Sequence, residues 1–398
     1  MDRRGFLIGA CSLAASPLVT PVAFAGAPGD NRLVVIVLRG AMDGLATVMP
    51  YGDPTYSALR GALPEGALDL DGYFALHPAL GGLAPLWQAG QLGFGHAVST
   101  PYRDKRSHFD GQDWLEAGIT DMANGMARDG WLNRALPVLG GGADTAWAIG
   151  NDALAILNGP APVGRWSPDS DLALSPQAIR LAQLVMQDDP AMAAALAEAF
   201  DLADGDGDPV AFTGSQGDMM EMMRADNKAA RGTGAEERMA EFAAARLKGD
   251  ARIASFSING WDTHAQQDRA LSRALDALAR TILTLQDKLG AQVWAKTTVV
   301  AVTEFGRTVR LNGTNGTDHG TGGAMIVAGG AVRGGRVLAD WPGLDEVALY
   351  ERRDLMPTRD LRAHLGWLMR GLFGLERAAI EQTIFPGLDL GADPGWLA

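Results

Sequence analysis

The sequence predicts an α/β fold built around a mostly parallel sheet, on three observations. Short apolar runs with no helical period recur: Leu33 to Leu38 (LVVIVL), Leu92 to Val98, Arg252 to Ile258, Thr297 to Thr303 and Ala324 to Ala328. Such runs suit strands buried on both faces. Between Ile258 and Thr297, Leu271, Leu275, Leu278, Ile282, Leu285 and Leu289 step by four and three and stop at Gly290. That stripe is an amphipathic helix, and it makes a βαβ unit. Several runs also end in glycines mixed with acids, arginines or histidines, as at the carboxyl edge of an open α/β sheet, where ligands bind.

Taken in order, the chain opens MDRRGFLIGACSLAASPLVTPVAFA. The twin arginine (Arg3, Arg4), the short apolar stretch and Ala23-Phe24-Ala25 read as an export signal cut before Gly26. The stretch is too short and too interrupted by Ser and Pro to span a membrane. Cys11 is the only cysteine of the chain, and it lies within the signal. A lipid anchor there is weighed against the very short apolar run before it. The remaining chain then has no thiol, which excludes disulfides, thiolate catalysis and Cys-ligated zinc. Losing Asp2, Arg3 and Arg4 takes the net charge from −13 to −14, so nucleic acid is a poor partner. The length allows one large domain or two smaller ones. The expectation is one, with a helical insertion around 170–250. The oligomeric state is left open.

Leu33 to Leu38 leads into Arg39-Gly40-Ala41-Met42-Asp43-Gly44. Asp43 is there a candidate metal ligand, with a turn or helix cap as the plain alternative. Pro54 to Asp71 reads as irregular. Pro78 starts a helix that runs to about Gln88, with His77 as a local contact at its entry. After the Leu92 strand come Arg103, Lys105 and Arg106, then Ser107-His108 and a helix from about Phe109 to Glu116. Ser107 sits at the helix amino end, as a cap or as a nucleophile or anion ligand beside His108. Residues 146–150 and 153–157 are short strand candidates. Leu174 to Leu202 and Asp218 to Leu247 look helical, and Asp204 to Asp208 reads as a solvated loop. The methionines at 219, 220, 222 and 223 suggest soft packing.

Two clusters follow late strands. Gly260-Trp261-Asp262-Thr263-His264 follows the Arg252 run, and Glu304, Gly306, Arg307 and then Asp318-His319-Gly320 follow the Thr297 run. With only six histidines in the chain, two such acid–imidazole pairs suggest a divalent metal site. A last helix runs from about Arg359 to Phe373, with His364 packing inside it.

The segments LRGAMDGL, RSHFDGQD, INGWDTH, TEFGRT, GTDHGTG and PTRDLR resemble the secreted family catalogued as domain of unknown function 1501. That family looks like a branch of the alkaline phosphatase/sulfatase superfamily. The resemblance implies an alkaline-phosphatase-like α/β three-layer sandwich around a mostly parallel sheet. Asp43, Ser107, Asp262 with His264, Glu304 and His319 match the superfamily's site by order along the chain. It thereby implies metal ligands at Asp43, Asp262, His264, Glu304, Asp318 and His319. Ser107, His108 and Arg307 become catalytic, and Arg39 and Arg106 hold the anion. The expected cofactor is one or two divalent ions of zinc, manganese, magnesium or calcium. The expected activity is hydrolysis of a small-molecule or polysaccharide phosphate or sulfate ester, in the periplasm or outside the cell. The competing class is a non-catalytic assembly or polysaccharide-binding protein. Several positions depart from the superfamily: Arg39 occupies an expected acidic place, Glu304 stands where Asp is usual, and Phe305 replaces a histidine.

Overall fold

The computed structural model describes residues 29–103, 105–120, 129–150, 152, 154–168 and 234–397. The signal, the acidic run 204–208, the four methionines and the expected helix 174–202 lie outside the described residues. So does the expected helix from 218 up to residue 233.

The main sheet takes its strands from β1 (Arg32–Leu38), β2 (Leu92–Ser99), β3 (Ala146–Ile149), β4 (Gly164–Trp166), β5 (Ile253–Ile258), β6 (Thr297–Thr303), β7 (Gly323–Ala328), β8 (Arg336–Leu338) and the short β9 (Arg359–Asp360). Their order across the sheet is β8-β2-β7-β6-β1-β5-β3-β4, with β9 also paired to β2. Every pairing is parallel except those of β7, which runs antiparallel between β2 and β6. Val48–Met49, Ala75–Leu76 and Leu68–Asp69 form a separate small sheet.

Side-chain alternation on β1 separates two cores. Val34, Ile36 and Leu38 face one side, with residues of α3 (Ala235–Lys248) and α4 (Gln267–Trp294). Leu33, Val35 and Val37 face the other, with residues of α1 (His108–Ala117), α2 (Trp131–Leu139) and α5 (Leu361–Phe373). These are the three layers of the expected sandwich. Burying one such side chain contributes about 1.5–3 kcal/mol, so a β1 with both faces covered anchors both layers at once. Among the described residues no helix is long and apolar enough to cross a membrane.

Local expectations meet mixed outcomes. The leucine stripe forms α4 and breaks at Gly290, whose φ is 72°, before one further turn to Trp294. Of the expected strand 153–157, the described residues form none: Ala155–Leu157 is a 3-10 turn, and the edge strand is β4 instead. The helix after His77 splits into a 3-10 segment, Pro78–Leu83, and Ala84–Gln88, with His77 Nδ1 accepting from Ala79 N. His364 packs as expected, its Nδ1 accepting from Trp396 Nε1 at 2.9 Å.

Register places the site. Leu38 pairs with both Ile258 and Thr303, so β1, β5 and β6 end level. Because Gly323 at the start of β7 pairs with Val98 near the end of β2, the loops after β2 and before β7 open at the same edge. Gly40, Asp262, Glu304, His319 and the entry to α1 are delivered to one place by these strand ends.

Candidate metal centre

His108 enters on the first turn of α1. Ser107 is the N-cap, its Oγ accepting from Asp110 N at 3.4 Å, and its own amide donates to the Tyr102 hydroxyl at 2.7 Å. Phe305 lies with its ring centroid 5.9 Å from that of Tyr102 and 5.3 Å from that of His108, stacked on both. His108 Nδ1 donates to Glu304 Oε1 at 2.8 Å. Glu304 is fully buried and also accepts from Gly40 N at 2.9 Å, Gln112 Nε2 at 3.3 Å and Thr303 Oγ1 at 2.8 Å. Burial alone would raise its pKa, but the hydrogen bonds from His108 and Thr303 outweigh that and hold it below the usual value. The same hydrogen bond raises the pKa of His108 against the opposing effect of burial.

His264 and His319 come from the loops after β5 and before β7. His319 Nδ1 donates to the Arg106 carbonyl at 2.7 Å, and His264 Nδ1 to Asp318 Oδ1 at 3.2 Å. A carbonyl or an ionised carboxylate can only accept, so all three imidazoles are held with the proton on Nδ1 when neutral. Each then presents the lone pair of Nε2. His264 Nε2 and His319 Nε2 lie 2.9 Å apart. Asp262 Oδ1 lies 3.1 Å from His264 Nε2, 3.4 Å from His108 Nε2 and 3.5 Å from His319 Nε2.

The donor set fits a cation. Two lone pairs at that distance repel unless a proton or metal ion sits between them. His108 Nε2 is buried without a hydrogen-bond partner; its contact with Asp262 is ionic in distance but lacks hydrogen-bond geometry. Nitrogens bound about 2.0–2.1 Å from one ion sit roughly 2.9–3.4 Å apart, depending on the angle at the metal. One atom each from His108, Asp262 and His319 falls within a mutual 4.8 Å, and His264 Nε2 adjoins two of them. Burial tends to raise the pKa of Asp262, but the Arg307 hydrogen bond and charge lower it further, so it stays ionised. Burial lowers the pKa of His319, which favours its neutral, ligating form.

The structure thus brings together Asp262, His264 and His319, three of the six ligands expected from sequence, and adds His108. The other three stand back. Asp43 caps the Gly44–Thr47 turn and is ion-paired with Arg60 at 2.7 Å, with Gln267 Nε2 also 2.7 Å away. Its buried carboxylate is taken up by Ala46 N, Arg60 and Gln267. Glu304 acts behind His108, and Asp318 behind His264 with Asn312 Nδ2 at 3.2 Å. Arg307, expected as a catalytic residue, is a brace in this structure. Its guanidinium is fully buried and donates to the carbonyls of Gly40, Ala41, Trp261 and Thr317 and to Asp262 Oδ1 at 2.6 Å. Gly40 can serve here because a side chain would not fit. Its φ is 119°, and a Cβ would lie 2.6 Å from Asp262 N. Arg39 is likewise committed, to Glu116 at 2.8 Å and Gln112 Oε1 at 2.8 Å. Arg106 reaches Glu351 at 2.9 Å while its carbonyl fixes His319.

Sequence reading missed Gln112, Asn312 and Arg353. Gln112 stands four residues after His108, hence on the same helix face, and that spacing within RSHFDGQD was the available signal.

Fold and site define an α/β sandwich with a candidate metal centre at the carboxyl edge of its sheet. Residues 89–369 match the family model described as "Protein of unknown function (DUF1501)", and the chain belongs to that family. Among solved structures it is similar to a protein in the alkaline phosphatase superfamily from Vibrio parahaemolyticus, at 12% identity and a TM-score of 0.40. That likeness covers 98% of this chain and 80% of the other. It is also similar to the lipoteichoic acid synthase LtaP from Listeria monocytogenes, at 9% identity and a TM-score of 0.39, covering 91% of this chain and 77% of that one. At these values neither carries an argument about chemistry. Comparison with curated proteins gives no match.

Proposed function

We propose that this chain is an exported metal-dependent hydrolase of phosphate or sulfate esters. The observation that carries the reading is the convergence of three Nδ1-anchored imidazoles on Asp262 Oδ1, with His108 Nε2 buried and unpartnered. A divalent ion held there would polarise the ester and activate an attacking hydroxyl or water. Nitrogen donors beside one carboxylate favour zinc or manganese over magnesium or calcium, which prefer oxygen ligands.

In this reading the chain's own residues orient and aim. Glu304, Asp318 and the Arg106 carbonyl keep the three rings in one tautomer. Arg307 keeps Asp262 ionised and pointed at them. Ser107 is the proposed attacking hydroxyl. Its long contact with Asp110 N uses it as an acceptor, and its own proton goes to no group among the described residues. Attack would form a bond from Ser107 Oγ to phosphorus or sulfur and break the bond to the ester oxygen, which leaves as the alcohol with the hydroxyl's proton. Water would then cleave the serine ester, restoring the hydroxyl and releasing phosphate or sulfate.

The test is turnover of an aryl phosphate and an aryl sulfate by metal-loaded mature protein. As a mere cap, Ser107→Ala costs about 1 kcal/mol of stability with activity intact. As the nucleophile, it folds normally and loses several orders of magnitude in rate. Most of the rate retained would leave water as the attacker.

The non-catalytic reading, an assembly or polysaccharide-binding protein, is favoured by one observation: Arg39 and Arg307 are both spent on the protein itself. Absence of turnover by metal-loaded protein would give it the lead. Export is proposed to follow the twin-arginine route into the periplasm or beyond. Mature protein retaining residues 1–25 by intact mass would contradict that.

A further inference from the structure

An ester of phosphate or sulfate brings negative charge that the centre must receive, and the fold commits Arg39 and Arg307 elsewhere. Two other arginines belong to the segments that hold His319, each with its side chain about one-third exposed, at 36% for Arg106 and 35% for Arg353. They bracket His319. The Arg106 carbonyl takes its Nδ1 proton at 2.7 Å, and Arg353 Nη2 donates to its carbonyl at 2.9 Å. Both also face one buried carboxylate, Asp354, with Arg353 Nη1 at 3.1 Å and Arg106 Nη2 at 3.8 Å. Asp354 is pinned by Thr321 Oγ1 at 2.9 Å. Glu351 is different: its side chain is 53% exposed and meets Arg106 Nη2 at 2.9 Å.

The backbone is bent to hold this arrangement. Arg106, Glu351 and Arg352 have φ of 50°, 51° and 56°, the left-handed region that side chains disfavour. Such conformations cluster where function holds them. Tyr350 N bonds Asp354 O at 2.9 Å, Arg353 N bonds Tyr350 O at 3.1 Å, and Val309 N bonds Arg353 O at 3.1 Å. These bonds close the loop under Arg353 and set its guanidinium against His319.

We propose that Arg106 and Arg353 form the oxyanion clamp of this centre, with Glu351 as an exposed counter-charge that a phosphate or sulfate group displaces. This rests on the hydrolase reading and names the groups that would receive the anion of its phosphate or sulfate ester. Among the described residues Nε and Nη1 of Arg106 donate to no protein group, so its planar fork is available to two oxygens of one anion. Removing Glu351 from Arg106 turns a neutral patch of two arginines and two carboxylates into one with net positive charge.

The experiment is calorimetric titration of metal-loaded mature protein with inorganic phosphate and with sulfate, with metal content and melting temperature measured on each variant. Arg106→Met should weaken anion binding about 10- to 100-fold, the range for losing charge-assisted hydrogen bonds. Glu351→Gln should tighten it several-fold. Arg353→Met should weaken it, with partial recovery in Arg353→Lys. If Arg353→Met also loses metal through His319, then Arg106→Met and Glu351→Gln decide, since those side chains touch no imidazole. Unchanged anion affinity in both, at normal metal content, overturns the clamp, as does wild type that binds neither anion. Arg106-dependent anion binding without turnover of any ester supports the clamp and sinks the hydrolase reading instead.

Discussion

His108 Nδ1 and Glu304 Oε1 meet at 2.8 Å, and Glu304 is fully buried behind the imidazole. A buried carboxylate that accepts a ring proton fixes the tautomer and raises the basicity of the opposite nitrogen. Glu304→Gln should therefore bind zinc about 10- to 100-fold more weakly than wild type, the usual cost of losing such a partner, with the fold retained. Competition with a chromophoric chelator measures this, and equal affinities would show that Glu304 serves only packing.

Asp43 and Arg60 form a buried pair at 2.7 Å, with side-chain exposures of 0% and 4%. Removing one partner of such a pair costs about 3–5 kcal/mol. Asp43→Ala should lose stability on that scale in urea unfolding while keeping wild-type metal stoichiometry. A folded variant that loses its metal would return Asp43 to the ligand set.

His96 is buried in β2, with Nδ1 accepting from Ala97 N and Nε2 donating to Val48 O, each at 2.9 Å. Burial lowers its pKa from the ordinary 6.5 to about 4. The unfolded chain takes up that proton first as pH falls, so the stability is complete above pH 6.5 and is lost as pH drops towards about 4. Burial of His364, pushed down to about 3, adds in the same sense. For His96 the loss amounts to about 3 kcal/mol. Urea midpoints at pH 7, 5.5 and 4.5 should converge between wild type and His96→Asn as pH falls. A gap that stays constant would contradict the assignment.

The strands were legible because a run such as Leu33 to Leu38 has a single stable use, burial on both faces. Ala155–Leu157 was not, since so short an apolar stretch fits a 3-10 turn as well as a strand. At the site the residue types were visible and their partners were not. Asp43 looks like a ligand until Arg60 and Gln267, the latter 224 positions away, claim its carboxylate. Arg307 looks like a catalytic group until the carbonyls of Gly40, Ala41 and Trp261 close on it, and backbone acceptors leave no trace in residue type. His108 was overshadowed by Ser107, whose place at a helix amino end is the more familiar signal.

The most direct measurement is metal content and affinity of purified wild type beside His108→Ala, His264→Ala and His319→Ala. Elemental analysis gives the stoichiometry and chelator competition the dissociation constant. The expected result is a stoichiometric ion in wild type and a loss of at least about 10-fold in affinity in each variant, since even partners behind a ligand are worth that much. Wild-type stoichiometry and affinity in all three variants would contradict the centre described here.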